Sequence, residues 1–279
     1  MQIVRQLDPL RDALTEIRKD GSKIGLVPTM GALHRGHMRL VEVAMEQCDK
    51  VVASIFVNPA QFGEGEDLDA YPRPEAEDAA LLEAAGVELL WAPTAEQIYP
   101  EGYATNVTVG GISDGLCGAA RPGHFDGVAT VVAKLFNQIR PDAAYFGEKD
   151  YQQLAIIRQM ARDLDFTHDV VGVQTVRDPD GLALSSRNTY LTEEQRAKAA
   201  VLPKVMKDAA KAIAAGENLS VVLDNAKTRL LASGFHKIDY LELRNAIDLS
   251  VLDVFTNPAR LFVAARIGQT RLIDNIPIS

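Results

Sequence analysis

Short apolar runs separated by stretches with helical spacing constrain this chain more than any other feature. The runs fall at residues 24–27 (IGLV), 51–57 (VVASIFV), 87–91 (VELLW), 143–146 (AAYF) and 170–176 (VVGVQTV). Near-continuous runs of this kind, rich in β-branched residues, mark strands buried on both faces of a sheet. Between them, residues 8–19 carry Leu10, Leu14 and Ile17 at helical spacing, and residues 126–139 carry Val128, Val131, Val132, Leu135 and Phe136. Residues 38–47, 74–85 and 151–163 also read as helices, the second with Pro74 near its start and Gly86 just beyond its end. Strands alternating with helices of this length predict an α/β fold, a Rossmann-like, doubly wound, mostly parallel sheet. Residues 105–109 read as a further strand, and residues 110–123 as a glycine-rich loop.

The pattern changes after Asp178-Pro179-Asp180-Gly181. Thr192 and Gln195 form a capping box for an alanine-rich helix with a kink expected at Pro203. A second helix spans residues 220–232 before Gly234, and three β-like runs follow at 238–243, 261–267 and 271–273. Helices first and strands afterwards predict a smaller α+β C-terminal domain. The expected division is residues 1–175 and 176–279.

Composition narrows the function classes. With 279 residues, 47% of them apolar, the chain can bury a substantial core. A net charge of −9 leaves no electrostatic footprint for nucleic acid and no polybasic membrane patch. No apolar run approaches the roughly 20 residues of a membrane span, and Met1-Gln-Ile-Val-Arg-Gln is not followed by an apolar leader. Cys48 and Cys117 form no CxxC pattern, which argues against a disulfide framework. A cytoplasmic globular protein is expected, without nucleic-acid or membrane partners.

The chemistry concentrates where strands hand over to helices. In Pro28-Thr-Met-Gly-Ala-Leu-His-Arg-Gly-His37, an apolar run meets a helix start and two of the five histidines sit three residues apart. The first N–H groups of a helix lack partners and the helix dipole is positive there, so such a start attracts phosphate. Gly36 would let backbone approach the anion while His34 and His37 face it; in the alternative, the pair caps the helix. A zinc reading fails for want of a third ligand and of the HExxH glutamate. Gly147-Glu148-Lys149-Asp150 follows another strand: Lys149 suits a phosphate, and Asp150 a ribose hydroxyl or an orienting role. Leu184-Ser185-Ser186-Arg187-Asn188 offers two hydroxyls and a guanidinium fork for phosphate oxygens. Asn58, Gln61 and Gln153 are neutral amides suited to a small polyol acid. His124 would cap a helix or meet substrate. Asp67, Asp69, Glu77 and Asp78 are acidic enough to assist Mg²⁺, but acid runs are more often solvated faces, and no protein metal ligand is assigned.

Together PTMGALHRGH, FVNPAQF, DLDAYPR, RPGHFDGV, FGEKDYQQL, LSSRN and RLIDN resemble the pantoate–β-alanine ligase family, in its order and over nearly the full length. That family belongs to the HxGH nucleotidyltransferase superfamily; another such nucleotidyltransferase is the runner-up reading. The resemblance implies condensation of (R)-pantoate with β-alanine through a pantoyl adenylate, releasing pyrophosphate and then AMP. It places Met30, Gly31, Ala32, Leu33, His34, Arg35, Gly36 and His37 at ATP, with Gly147, Glu148, Lys149, Asp150, Val176, Leu184, Ser185, Ser186 and Arg187. It makes His37 a proton donor and His34, Lys149 and Arg187 further catalytic groups. Gln61 and Gln153 would hold pantoate, and Gln61 also β-alanine. Mg²⁺ would accompany ATP, the C-terminal domain would act as a lid, and the protein would be a homodimer. Arg35 stands where many members carry an acidic residue.

Overall fold

The structure is a computed structural model and describes residues 1–63, 65–66 and 68–278. The chain divides into two compact units. The first comprises Met1–Glu148 and Ile156–Gln174; the second takes Lys149–Ala155 and the chain from Thr175 onward.

The first unit is a six-stranded sheet in which every pairing is parallel. In chain order its elements are β1 (Gln2–Val4), α1 (Leu7–Ile17), β2 (Ile24–Thr29), α2 (Arg35–Gln47), β3 (Lys50–Ile55), α3 (Glu75–Ala84) and β4 (Leu89–Trp91). Then come α4 (Ala95–Ile98), α5 (Leu116–Ala120), α6 (His124–Ile139), β5 (Ala143–Gly147), α7 (Tyr151–Asp163), whose residues from Ile156 on belong to this unit, and β6 (Asp169–Val173). The strand order is β1-β4-β3-β2-β5-β6. From β2 the chain winds one way through β3 and β4, and it returns to the other side of β2 with β5 and β6. The switch point of this Rossmann-like α/β sheet therefore lies between β2 and β5, where open sheets of this class place ligands, at the carboxyl ends of the strands. The PTMGALHRGH turn follows β2, and Glu148 follows β5.

The central strands are apolar because helices cover them. Leu26, Val51, Val52, Ala53, Leu90 and Tyr145 are fully buried. Helix α6 is buried on most of its circumference, from His124 and Phe125 to Ile139, which explains its long apolar run. The structure corrects the expectation at 105–109: those residues form no strand. The Val107 N–H donates to Thr130 Oγ1 of α6 at 2.9 Å, so a helix hydroxyl stands in for a neighbouring strand. Conversely, β1 is a real edge strand that three residues, mostly exposed, do not announce.

The second unit contains α8 (Glu193–Ala199), α9 (Val201–Ala214), α10 (Leu219–Ala232) and an antiparallel sheet of β7 (Lys237–Asn245), β8 (Ala259–Ile267) and β9 (Thr270–Ile278). Its core packs Leu202, Val205, Met206, Leu230, Leu261 and Val263 together. Thr192 and Gln195 form the expected capping box. The expected kink at Pro203 is instead a break at Ala200; Pro203 lies in the first turn of α9, where a missing N–H costs nothing. Strand β9 runs well beyond residues 271–273, pairing with β8 along its length. Its Asp274 and Asn275 are polar yet 2% and 3% exposed, and they interrupt the apolar pattern.

Candidate active site

In the first unit the site is built around the turn from β2 to α2. Gly31 (φ 83°) and Ala32 (φ 51°) adopt left-handed conformations in succession. A Cβ at Gly31 would come 3.0 Å from Asp78 Oδ2, and only glycine takes this backbone without strain. The Asp78 carboxylate accepts from Ala32 N–H at 2.8 Å and from Leu33 N–H at 2.7 Å. Burial pushes its pKa up against the lowering effect of those two donors. Asp78 is thus a buried clamp on the turn rather than a solvated Mg²⁺ helper. Glu77 and Asp69 are exposed, and Asp67 lies outside the described residues.

His34 is the N-cap of α2, in extended conformation. Its Nδ1 accepts from Gly36 N–H at 3.0 Å, and His37 Nδ1 accepts from His34 N–H at 3.3 Å. The two side chains thus form a reciprocal capping box, with their rings stacked at 4.1 Å between centroids. The helix-capping reading of the pair is thus realised in the structure. An Nδ1 that accepts an N–H carries no proton, so each neutral imidazole holds its proton on Nε2. The Gly36 N–H donates to His34, and the helix start presents ring nitrogens where a bare helix would present backbone N–H groups.

The amides cluster in the same unit. Asn58, 1% exposed, donates to Gln61 Oε1 at 3.2 Å and to Gly127 O at 3.0 Å, and accepts from Tyr99 O–H at 2.8 Å. Burial pushes the Tyr99 phenol up to about 12. Gln61 Nε2 lies 2.8 Å from the Met30 sulfur, which joins the amide group to the β2–α2 turn. The Gln61 main-chain carbonyl accepts from His124 Nδ1–H at 2.8 Å and from Arg121 Nη2 at 3.3 Å. Arg121 also pairs through two nitrogens with Glu66, whose pKa it lowers by hydrogen bonding. His124 therefore holds the main chain at Gln61, a contact that its position at a helix start did not reveal. Helix α6 approaches this turn so closely that a Cβ at Gly127 would sit 2.1 Å from Ala60 O.

In the second unit, the LSSRN segment opens a short 3₁₀ turn, Ser186–Tyr190, capped by Ser185 Oγ, which accepts from Arg187 N–H at 3.3 Å. Asn188 anchors it by donating to Ala183 O at 3.0 Å. Leu184 N–H donates to Val176 O at 3.0 Å, so these two expected nucleotide contacts stand side by side on a narrow hairpin. Lys149 and Asp150 belong to this unit, 3.4 Å apart through Nζ and Oδ2, as does Gln153 on the first turn of α7. Gly147 and Glu148 stay with the first. Among the described residues no group of three or more His, Cys, Asp or Glu side chains is arranged to hold a metal ion. Among them, too, no helix is long and apolar enough to cross a membrane.

Fixed hydrogen-bond donors at the switch point of a parallel sheet define a class of α/β enzyme that works by positioning a ligand and stabilising charge. Comparison with known proteins makes the class specific. The family model described as pantoate-beta-alanine ligase matches residues 2–277. A pantothenate synthetase of Sphingopyxis alaskensis is 58% identical over 278 residues, covering 100% of both chains. The crystal structure of pantothenate synthetase from Thermus thermophilus superposes with a TM-score of 0.94 at 49% identity, covering 100% of this chain and 99% of that one. A Francisella tularensis pantoate-beta-alanine ligase, complexed with beta-gamma ATP and beta-alanine, gives 0.86 at 34% identity over 99% and 97%. The chain belongs to the pantoate–β-alanine ligase family.

Proposed function

We propose how this chain carries out the reaction of its family, the ATP-dependent ligation of pantoate to β-alanine. A pantoate carboxylate oxygen attacks the α-phosphorus of ATP. The bond from that phosphorus to the bridging oxygen breaks, and pyrophosphate leaves. The β-alanine amine then attacks the acyl carbon of pantoyl adenylate, AMP departs with the C–O bond electrons, and the amine loses a proton. Nothing in this sequence needs a covalent enzyme intermediate, so positioning and charge stabilisation supply the catalysis.

The observation that carries the reading is the histidine capping box at the switch point. With both Nδ1 atoms accepting backbone N–H groups, His34 and His37 donate through Nε2–H to phosphate oxygens as charge moves onto the leaving group. His37 serves the reaction in this way, as a hydrogen-bond donor from a neutral ring. Met30 to Leu33, Arg35, Gly36, Gly147 and Glu148 complete the first unit's part of the ATP site. Lys149, Asp150, Val176, Leu184, Ser185, Ser186 and Arg187 complete the second's, with Lys149 and Arg187 as the cations. Gln61 and Gln153 take the hydroxyls and carboxylate of pantoate, and Gln61 adjoins β-alanine. Residues 1–175 are assigned the role of nucleotide- and pantoate-binding domain, and residues 176–279 that of lid domain.

Mg²⁺ enters with ATP. Hard oxygen ligands from phosphates and water suit it, and the described residues offer no three-donor cluster that would compete for it. A homodimer in the cytoplasm is the assembly and compartment proposed from the family; sedimentation reads the first, and cell fractionation the second. The test of the reaction is detection of AMP and pyrophosphate with each substrate left out in turn. Pyrophosphate release is expected to need pantoate alone, and AMP release to need β-alanine as well. A product that retains AMP in the presence of β-alanine would replace the ligase with the runner-up nucleotidyltransferase.

A further inference from the structure

The RLIDN segment, residues 271–275, touches no ligand in the mechanism above, yet Asp274 and Asn275 are among the most deeply buried polar residues of the protein. Their partners explain why a strand of the second unit carries them. The Asn275 side chain donates from Nδ2 to the backbone carbonyl of Lys149 at 2.9 Å. Its Oδ1 accepts from Arg260 Nη1, and Arg260 is itself only 7% exposed. The Arg260 guanidinium lies 3.9 Å over the ring of Tyr151, two residues after Lys149, and the Tyr151 hydroxyl donates to Ala246 O at 3.0 Å. On the other side, Asp274 accepts from Arg177 at 2.7 and 2.8 Å. Arg177 sits on the hairpin that pairs Val176 with Leu184, and its Nη1 also donates to Gly181 O at 3.0 Å.

Two neighbouring residues of β9 therefore hold the two segments of the second unit assigned to phosphate handling: Lys149–Asp150 through Asn275, and the hairpin leading to Ser185–Arg187 through Asp274. We infer that Asn275 is a positioning residue for ATP chemistry, setting the backbone of Lys149 through its side-chain amide. This rests on the assignment of Lys149 to the phosphates made above. The position calls for a side chain that both donates and accepts, as the amide does. A peptide carbonyl only accepts and a guanidinium only donates, so the residue between them must donate on one side and accept on the other. That pairing also settles which way the amide points. Buried charge and amide groups cost desolvation, and a packed apolar cluster would hold the strands as firmly. What the polar network adds is one definite register between β9, Lys149 and the hairpin. Displacement of a reacting group by about 1 Å lowers rates by about a hundredfold, so the mount need slip only slightly to matter.

Asn275→Asp separates positioning from folding. The substituted side chain keeps its volume and its acceptor for Arg260. It also sets a carboxylate against the guanidinium of Arg260, whose Nη1 the Asn275 Oδ1 already meets. It loses the donor to Lys149 O and sets oxygen against oxygen. The experiment is a double-mutant cycle on pantoate-dependent pyrophosphate release, comparing wild type, Asn275→Asp, Lys149→Ala and the double variant, with melting temperature read in parallel. Expected are a tenfold to hundredfold (roughly) fall in kcat for Asn275→Asp, a melting point within a few degrees of wild type, and a double variant no slower than Lys149→Ala. A group acting through Lys149 has nothing left to lose once the lysine is gone. Asn275→Asp activity within twofold of wild type, or a double variant slowed by the product of the single effects, overturns the inference. Wild-type activity in Lys149→Ala overturns the assignment of Lys149, and the positioning role with it; this result differs from the other two. If Asn275→Asp is insoluble, Asn275→Ala, which removes the donor without adding charge, takes its place in the cycle under the same criteria.

Discussion

Gly127→Ala tests how the pantoate side of the site is held. The added Cβ would lie 2.1 Å from Ala60 O, 2.4 Å from Ala60 C and 2.7 Å from Gln61 N. All three atoms are backbone, so no side chain can swing aside. Ordinary contact begins near 3.4 Å, so α6 and the Pro59–Gln61 turn must separate by about 1.3 Å at this point, in line with the usual behaviour of overpacked cores. The hydrogen bond from Asn58 Nδ2 to Gly127 O, now 3.0 Å, would stretch past any useful length, and the one from His124 to Gln61 O would weaken. Overpacking costs ~1–3 kcal/mol. A buried acceptor left without its donor costs ~1–3 kcal/mol more. The better helix propensity of alanine offsets about 1 kcal/mol of this. The net loss is about 1–5 kcal/mol, a fall in melting temperature of roughly 2–20 °C at ~2–4 °C per kcal/mol for a chain of this size. Because the displaced turn carries Gln61 while the capped start of α2 is untouched, the pantoate KM should rise at least tenfold (roughly), with ATP affinity changed far less. Calorimetry and a pantoate titration of pyrophosphate release read the two effects. A melting point within 1 °C (about the scatter of such scans) together with an unchanged pantoate KM would refute this account of the close approach.

Other outcomes follow from the same geometry. His34→Asn retains a good N-cap for α2, so stability should hold while pyrophosphate release falls by about 10²–10³; equal losses in His34→Ala and His34→Asn stability would show that the cap depends on the ring itself. His37→Ala should cut adenylation by a similar factor with ATP binding, read by calorimetry, reduced far less; near wild-type release would remove His37 from the chemistry. Gln153→Ala is expected to raise the pantoate requirement more than the ATP requirement, and equal effects on both would count against its assignment. Glu66 has its carboxyl pKa depressed below 4.5, first by the hydrogen bond from Arg121. Its contribution to stability is therefore present above the unfolded value and lost as pH falls through the lower folded one. Glu66→Gln should flatten that acid limb of the stability profile, and an unchanged limb in urea titrations below about pH 4.5 would exclude the pair as its source.

Much of this protein is legible in one dimension. Alternating apolar runs and amphipathic stretches determine the parallel sheet, because the period of burial is a local property of strand and helix. The turn from β2 into α2 is legible for the same reason: an apolar run, a glycine and a capping residue occur in a few consecutive positions. Thr192 and Gln195 likewise announce their own helix start. Tertiary structure alone decided which polar groups hold the site. Asp78 reaches the Ala32 N–H across 46 residues of chain, and Asn275 reaches Lys149 O across 126. In isolation Asp78 looks like one more acid on a solvated helix, and Asn275 like the end of a strand. Polar partners of this kind have no period, since each depends on which distant donor or acceptor the fold delivers. The same holds for Gly127, whose missing side chain matters only because Ala60 O arrives against it. Strand and helix were set by the chain's own pattern of burial; the clamps that aim the chemistry were set by contacts that exist only after the chain has closed on itself.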